Sequence, residues 1–366
     1  VNPDPGLASW LQLALTPGLG SATFQRMLRQ FGLPVAILAR KRAELASFTT
    51  PAVISALDSE EVAHAVARAL AWRGQAGCSI VTLADEIYPR PLLEIPDPPP
   101  LLYAQGRIEL LARPALAVVG SRNSTQQGEA NAESFARTLS EVGLTIVSGL
   151  ALGIDAAAHR GGLAGPGSTI AVLGTGIDIA YPSRNAALAA QIADRGLLLS
   201  EFPLGTAPAA QNFPRRNRLI SGLARGCLVV EAALASGSLI TARAAAEQGR
   251  EVFAIPGSIH SPLSKGCHAL IKSGAKLVES VEDLLNELAG FQPSAFASTT
   301  REGPSTRDSG LLAHMGHDPV DVDLLCSRAG MSAEQVSSEL LRLELDGRVA
   351  ALPGGLYQRL EKTQRR

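Results

Sequence analysis

Aromatic side chains are scarce: Phe, Trp and Tyr make up 4% of the 366 residues. A core with so few rings must be built from aliphatic packing, and the 46% hydrophobic content supplies it. Charged residues at 18% complete the profile of a globular chain. Cysteine is rarer still. Cys78, Cys227, Cys267 and Cys326 are scattered, with no C-x-x-C pair and no histidine at zinc spacing. A disulfide scaffold is excluded, no metal site is expected, and a reducing cytoplasmic setting is. An excess of charge is missing too. The formal net charge is -1, so no whole-molecule field draws a polyanion, and any nucleic-acid site must be a local basic patch. No apolar run reaches the roughly 18 residues of a membrane span. Around Asp4, Pro5 and Gly6 there is no basic n-region, so no signal peptide is expected.

Nucleotide and hydrolase signatures are lacking as well. Gly120 is followed by Ser121-Arg122 and not by G-x-G-x-x-G. There is no G-x-x-x-x-G-K-[ST], no G-x-S-x-G and no H-E-x-x-H. A dinucleotide site of the usual type, a P-loop ATPase, a serine-hydrolase elbow and a zincin are thereby set aside, and no cofactor is expected.

What is abundant is glycine, with 35 residues, and proline, with 23. The length predicts two or three domains at about 150 residues each. Residues 1–74 read as a small helical domain, with helices over Leu7–Leu15, Ser21–Phe31, Val35–Ala39, Ala43–Ala46, Ala52–Leu57 and Glu60–Gly74. Thr16-Pro17-Gly18-Leu19-Gly20 is either a plain glycine turn or a helix-hairpin-helix type of hairpin whose amides approach a phosphate.

Residues 75–289 form the core. A first strand, Cys78–Leu83, leads into a proline-rich connector ending at Pro98–Pro100. Apolar runs then alternate with helical segments, which predicts βαβ units and a mostly parallel α/β sheet. The runs are Ala115–Val119, Leu144–Val147, Thr169–Leu173, Leu197–Leu199, Cys227–Val230, Val252–Ile255 and Lys276–Val278. The helices are Gln126–Val142, Gly153–Ala164, Asn185–Asp194, Arg216–Leu223, Ser238–Gln248 and Lys265–Ser273. Residues 290–315 read as a flexible Ser/Thr/Pro/Gly linker. Residues 316–366 give helices Val320–Ala329 and Ser332–Asp346, then two short strands around Pro353-Gly354-Gly355, a winged-helix pattern.

The turns after the strands carry the main chemical signal. They are Gly120-Ser121-Arg122-Asn123-Ser124, Ser148-Gly149-Leu150-Ala151-Leu152-Gly153-Ile154-Asp155 and Gly174-Thr175-Gly176-Ile177-Asp178. Open α/β sheets take ligands at the carboxyl ends of their strands, and helix N-termini there offer N–H groups to anions. One such turn is explained by strand–helix geometry alone; three at one edge point to a phosphate-contacting surface. Asp155 and His159 share a helical face and form either an acid–base pair or a local pair fixing the helix.

Charge counting gives a second signal. From Phe202 to Val230 there are four arginines, Arg215, Arg216, Arg218 and Arg225, and no acid. Asn212-Phe213-Pro214-Arg215-Arg216-Asn217-Arg218 interleaves a ring with guanidinium groups, which suits single-stranded nucleic acid. A solvated basic helix start with Phe213 in the core is the other reading, and it opposes the helix dipole. The winged-helix zone is not basic, with seven Lys/Arg and eight Asp/Glu over 315–366. It should bind duplex DNA weakly or serve protein contact.

These motifs, with Tyr181-Pro182-Ser183-Arg184-Asn185, Ser200-Glu201-Phe202-Pro203, Phe213-Pro214-Arg215-Arg216-Asn217-Arg218-Leu219-Ile220-Ser221-Gly222, Ser236-Gly237-Ser238-Leu239-Ile240-Thr241-Ala242 and Ala254-Ile255-Pro256-Gly257, resemble the DNA-processing protein DprA (Smf) family along the whole chain. The resemblance implies an extended Rossmann-like core with a helical N-terminal domain and a winged-helix C-terminal domain. It implies a non-enzymatic, cytoplasmic protein that binds single-stranded DNA, protects incoming strands and helps load a RecA-type recombinase in natural transformation. It also implies a homodimer through the core. The family's basic contacts fall on Arg122 and, where relatives often have Lys, on Arg184. The expected DNA-binding set is Arg122, Arg184, Arg215, Arg216 and Arg218 on phosphates, with Gly120, Ser121, Ser148, Gly149, Gly174, Thr175 and Gly176 bringing amides close. Phe213 stacks on a base or buttresses the loop, and Asn185 and Asn217 offer side-chain amides. Two other readings are a Rossmann-like nucleotide or phosphoribosyl hydrolase, with Glu231 or Asp155 as acid–base group, and a protein-interaction scaffold. The hydrolases' P-G-G-x-G-T signature is absent from the core.

Overall fold

A computed structural model describes residues 5–288, 310–316 and 319–360. Six helices come first: α1 (Pro5–Leu15), α2 (Ser21–Phe31), α3 (Pro34–Leu38), α4 (Arg42–Leu45), α5 (Pro51–Ala56) and α6 (Glu60–Arg73). Pro34 and Pro51 start their helices where no N–H is needed, and the Thr50 and Ser59 hydroxyls cap α5 and α6. The helices bury Leu11, Leu13, Phe24, Met27, Ile37 and Leu45, and this cluster runs on into Tyr103 and Leu198 on the sheet and into Leu173 and Ile177 in the turn after Val172. The N-terminal helices therefore share a core with the central domain.

That domain is a nine-stranded sheet. Its strands are β1 (Cys78–Thr82), β2 (Leu101–Gly106), β3 (Ala115–Val119), β4 (Thr145–Ser148), β5 (Thr169–Val172), β6 (Leu197–Ser200), β7 (Gly226–Val229), β8 (Glu251–Ala254) and β9 (Lys276–Leu277). The order is β1-β2-β6-β5-β4-β3-β7-β8-β9. From β6 to β9 in that order the pairs are parallel, while β2 runs antiparallel to both β1 and β6. The chain steps outward from β3 to β6, then returns to β7 on the other side of β3. The crevice between β3 and β7 is the topological switch point, where open α/β sheets hold ligands.

The sheet's helices are α7 (Arg90–Leu93), α8 (Gln126–Glu141), α9 (Ile154–Leu163), α10 (Ala186–Arg195), α11 (Asn212–Leu223), α12 (Ser238–Glu247), α13 (Lys265–Lys272) and α14 (Val281–Glu287). Successive residues of β3 point to opposite faces. Leu116 and Val118 pack with α8, α9 and α14, whereas Ala115, Ala117 and Val119 pack with α11 and α12. Both faces are covered, which is why the strands are apolar throughout.

The winged helix is described by itself: β10 (Val320–Asp321), α15 (Val322–Ala329), α16 (Ala333–Leu345), β11 (Val349–Leu352) and β12 (Leu356–Arg359), with sheet order β10-β12-β11. Ser332 and Gln335 cap α16 reciprocally, as the sequence suggests.

The structure differs from the sequence reading in several places, among them helices α7 and α14, which that reading does not include. Leu101–Gly106 is a full strand, hidden in the sequence by the prolines just before it. Helix α11 starts at Asn212, four residues before the expected Arg216, because Pro214 is tolerated in a first turn. Val320–Asp321 is a strand and not a helix start. Most of the expected linker lies outside the described residues, but Leu311, Leu312 and Met315, within its assigned span, are buried in the winged-helix core.

Helices α8 and α9 meet at glycine. A Cβ on Gly161 would lie 2.2 Å from the Glu133 carbonyl oxygen. Gly161→Ala should therefore cost about 2 kcal/mol of stability by forced backbone separation. Thermal unfolding checks this, and an unchanged Tm would contradict the close contact.

Candidate nucleic-acid interface

The three glycine-rich turns meet at the carboxyl ends of β3, β4 and β5, beside the switch point. Helix α11 lies across them. Phe213 and Arg216, three residues apart, share one face of its first turn, and that face rests on the turns. A Cβ on Gly149 would lie 2.6 Å from the Arg216 guanidinium, and one on Gly174 2.8 Å from the Phe213 ring. Glycine is needed at both positions because α11 comes so close.

Arg216 is 4% exposed. Its Nη1 donates to the carbonyls of Gly149, at 2.7 Å, and Val172, and its Nε donates to Asn217 Oδ1 at 3.1 Å. Burial lowers its pKa to about 10, against the pull of Asp155. Asp155 and His159 hold the same turn from α9. Asp155 Oδ2 accepts from the amides of Gly149 (3.1 Å) and Ala151 (3.3 Å). Burial pushes the Asp155 pKa up, while Arg216 and those two amides pull it down. His159 Nε2 accepts from the Leu150 amide at 3.2 Å, and its Nδ1 lies 2.7 Å from Thr169 Oγ1. Since Thr169 Oγ1 donates to the Ile146 carbonyl, Nδ1 carries the ring proton. Burial and Arg216 depress the His159 pKa to about 3. Leu150 has φ +59°, a strained value for leucine, and the turn is pinned by His159 and by Asn185, whose Nδ2 donates to the Leu150 carbonyl at 2.9 Å. Of the two sequence readings for Asp155 and His159, the geometry matches local fixing, and what they fix is the turn.

Several residues expected to face phosphate are thus turned inward. Ser148, Gly149, Gly174, Thr175 and Gly176 are buried. The Ser148 hydroxyl donates to Val118 O, the Thr175 hydroxyl to Ile179 O, and the Gly176 amide to Thr206 O. Asn185 is spent on the β4 turn. Asn217 lies at the edge and accepts from Arg216. Arg218 is drawn away, bonded to Glu201 and to the Asp97 carbonyl. Arg215 also reaches Glu201, at 3.2 Å, but keeps its side chain 52% exposed. Glu201 is nearly enclosed; burial pushes its pKa up and the two arginines pull it down. The acid-free window counted from Phe202 begins one residue after this carboxylate. Glu201 also answers the unfavourable charge of a basic helix start.

Other expected residues do face outward. Arg122 and Arg184 are exposed and have no ion-pair partner among the described residues. The Arg122 guanidinium lies 5.6 Å over the Phe213 ring, and the Tyr181 ring lies 5.6 Å from Phe213 on a 33° tilt. Half-buried Gly120 and buried Ser121 start the turn that carries Arg122. Glu231, after β7, clamps that turn at both ends. Its main-chain oxygen accepts from the Ser121 amide at 2.7 Å, and its carboxylate accepts from the Thr125 amide at 2.9 Å and the Thr125 hydroxyl at 2.6 Å. A cavity of about 660 Å³ opens between this row and the start of α12, lined by Arg122, Phe213, Asn217, Ser236 and Thr241 among others. No group of three His, Cys, Asp or Glu is placed to hold a metal among the described residues.

Sequence reasoning missed the clamp by Glu231 and the pairing role of Glu201; Tyr181, an aromatic it expects near the site, has its ring against Phe213. Glu201 and Tyr181 stood inside quoted motifs; only the fold brings Glu231 to Thr125.

The model of the family called DNA recombination-mediator protein A matches residues 79–289, and the DprA winged helix domain matches residues 296–355. The chain belongs to the DprA family. Protein Smf of Escherichia coli is 46% identical over 301 residues, covering 80% of each chain. The DNA processing protein DprA of Streptococcus pneumoniae is 52% identical over 206 residues, covering 56% of this chain and 73% of the relative. Among solved structures, DprA from Streptococcus pneumoniae aligns with TM-score 0.69 and 40% identity over 76% of this chain and 97% of that one. DprA from Helicobacter pylori aligns with TM-score 0.53 and 32% identity over 57% and 95%, and it is described by its single-stranded DNA binding mode. The family's α/β Rossmann-like core and winged helix are the ones seen here. Among the described residues of this DprA-family chain, no helix is long and apolar enough to cross a membrane.

The buried His159 makes a pH prediction. Its folded pKa of about 3 lies below the ordinary 6.5. As pH falls below about 6.5 the unfolded chain gains a proton there and the folded chain does not, so stability is lost from there down to about pH 3. His159→Gln should remove up to one proton from that slope, about 1.4 kcal/mol per pH unit. Denaturant titrations between these limits check it; identical slopes would contradict a neutral buried imidazole.

Proposed function

We propose that the chain binds single-stranded DNA along the carboxyl edge of its sheet, as a DNA-processing protein without catalytic activity of its own. The observation that carries this reading is the row of exposed Arg122, half-buried Phe213 and exposed Tyr181, with Arg184 exposed three residues along the chain from Tyr181. Guanidinium groups suit phosphates and the rings suit unstacked bases. Two aromatics are few, so the electrostatic part outweighs stacking and binding tolerates any sequence. The single-stranded DNA binding described for the Helicobacter pylori relative supports the same substrate.

Within this proposal the expected arginines divide. Arg122 and Arg184 contact phosphate, and Arg215 does so with part of its guanidinium. Arg216 and Arg218 position the helix. Gly120 and Ser121 carry the Arg122 turn, and Ser148, Gly149, Gly174, Thr175, Gly176 and Asn185 shape the bed beneath it. Asn217 offers its amide from the edge. The inward placement of Asp155 and His159, and the engagement of Glu231 by Thr125, support binding over hydrolysis. Protection of incoming strands, hand-over to a RecA-type recombinase during natural transformation, self-association through the core and a cytoplasmic setting complete the proposal, and they rest on family membership.

Arg122→Ala should weaken binding to all sequences alike and lower the slope of log K against log salt by about 0.7 to 1. Titration of a fluorescent single strand at several salt concentrations reads this directly. An unchanged slope would remove Arg122 from the phosphate contacts.

A further inference from the structure

The first stretch of the chain is lopsided in charge. From Pro5 to Ala43 there are five basic residues, Arg26, Arg29, Arg40, Lys41 and Arg42, and no acid. Asp58 takes Arg42 in an ion pair, and Glu44 lies 3.9 Å from Arg40, both side chains nearly half exposed. A pair that open is worth little, so Glu44 does not keep Arg40 from another anion. Arg26, Arg29 and Lys41 are exposed and have no ion-pair partner among the described residues. Arg26 and Arg29 are three positions apart in α2 and share a face.

Two rings lie among these charges. Phe31 at the end of α2 and Phe48 after α4 meet edge to face, with centroids 5.1 Å apart. The Arg26 guanidinium lies 5.4 Å over the Phe48 ring, and that of Arg40 5.5 Å over the Phe31 ring. The order is Arg40, Phe31, Phe48, Arg26. Both rings pack against the N-terminal core yet stay only half-buried. The row of Arg122, Phe213 and Tyr181 at the sheet edge is built alike, a guanidinium on a ring and a ring beside a ring, and the two sets share no residue. Packing explains the rings but not the charges. Cations gathered without counter-charges repel one another, and folding alone gives no reason to gather them.

We propose that this face of the N-terminal helices is a second binding surface for single-stranded DNA. Arg26, Arg29 and Arg40 meet phosphates, and Phe31, Phe48 and the flat guanidinium groups on them give unstacked bases a platform. That the strand is DNA rests on the function proposed above; the surface itself is independent of the carboxyl edge. The N-terminal helices share a core with the sheet, so both surfaces belong to one framework. A strand long enough to reach both gains affinity from the linkage.

The test titrates a fluorescent oligothymidylate of about 40 nucleotides, well beyond the roughly 4 to 16 that one such surface covers. The full chain is compared at several salt concentrations with Arg26→Ala/Arg29→Ala, Arg122→Ala and the triple variant. The pair variant should bind about tenfold more weakly and lower the slope of log K against log salt by about 1.4, for two phosphate contacts. Its Tm should not fall, because both side chains are exposed. Arg122→Ala should keep residual binding that the triple variant loses. Arg26→Lys, which keeps the charge and loses the flat group, should keep the slope and lose part of the affinity. Affinity and slope unchanged in the pair variant would overturn the proposal; if Arg122→Ala still weakens the strand, the edge reading stands alone. If the pair variant weakens binding and Arg122→Ala does not, the edge falls and this surface stands. Should the pair variant unfold, 5-iodouracil crosslinks to the wild-type chain decide: peptides holding Phe31 or Phe48 support the surface, and their absence overturns it.

Discussion

The guanidinium of Arg216 sits among the Gly149 and Val172 carbonyls with almost no exposure to water. Taking a full charge out of water costs several kcal/mol, and only well-placed partners recover it. Here two carbonyls, the Asn217 oxygen and the nearby Asp155 do so. The consequence is geometric. One side chain ties the turn after β4, the end of β5 and the first turn of α11 to a common point. Gly149 and Gly174 lack side chains because α11 could not otherwise reach that point. Phe213, three residues from Arg216, is then fixed with one side on Gly174 and its ring beside Arg122 and Tyr181.

Charge is sorted by the same framework. The chain is nearly neutral, so attraction for a polyanion has to be local. Glu201 withdraws Arg218 wholly and Arg215 in part, while Arg218 itself ties α11 to Asp97, which accepts from Ser21 of the N-terminal helices. Glu231 anchors the Arg122 turn without an ion pair, leaving the Arg122 guanidinium to the solvent side. Basic groups near one edge therefore do two jobs, and burial separates them.

The alternation of apolar runs and helices was enough to read the parallel sheet and its carboxyl edge, because period and turn residues are local properties. Leu101–Gly106 escaped because its pairing with β1 and β6 is long-range and three prolines precede it. That Arg122 and Phe213 meet at one edge was legible from the glycine-rich turns and the basic motif around Phe213. The inward fate of Arg216, Arg218 and Asn185 was not, since composition counts a charge and says nothing of its direction. Glu201 and Glu231 were in view as residues, yet their partners lie 14 to 17 and 106 positions away in sequence. The glycines were read as room for phosphate, whereas Gly149 and Gly174 make room for the protein's own arginine and phenylalanine.

In the proposed complex, bases of a bound strand lie against the Phe213 and Tyr181 rings beside Arg122. Photocrosslinking with a single strand carrying 5-iodouracil, followed by peptide mapping, tests it most directly. Crosslinks are expected at Phe213 and Tyr181, and excess unlabelled strand should abolish them. Crosslinks confined to the winged helix, or to residues on the amino ends of the strands, would contradict it.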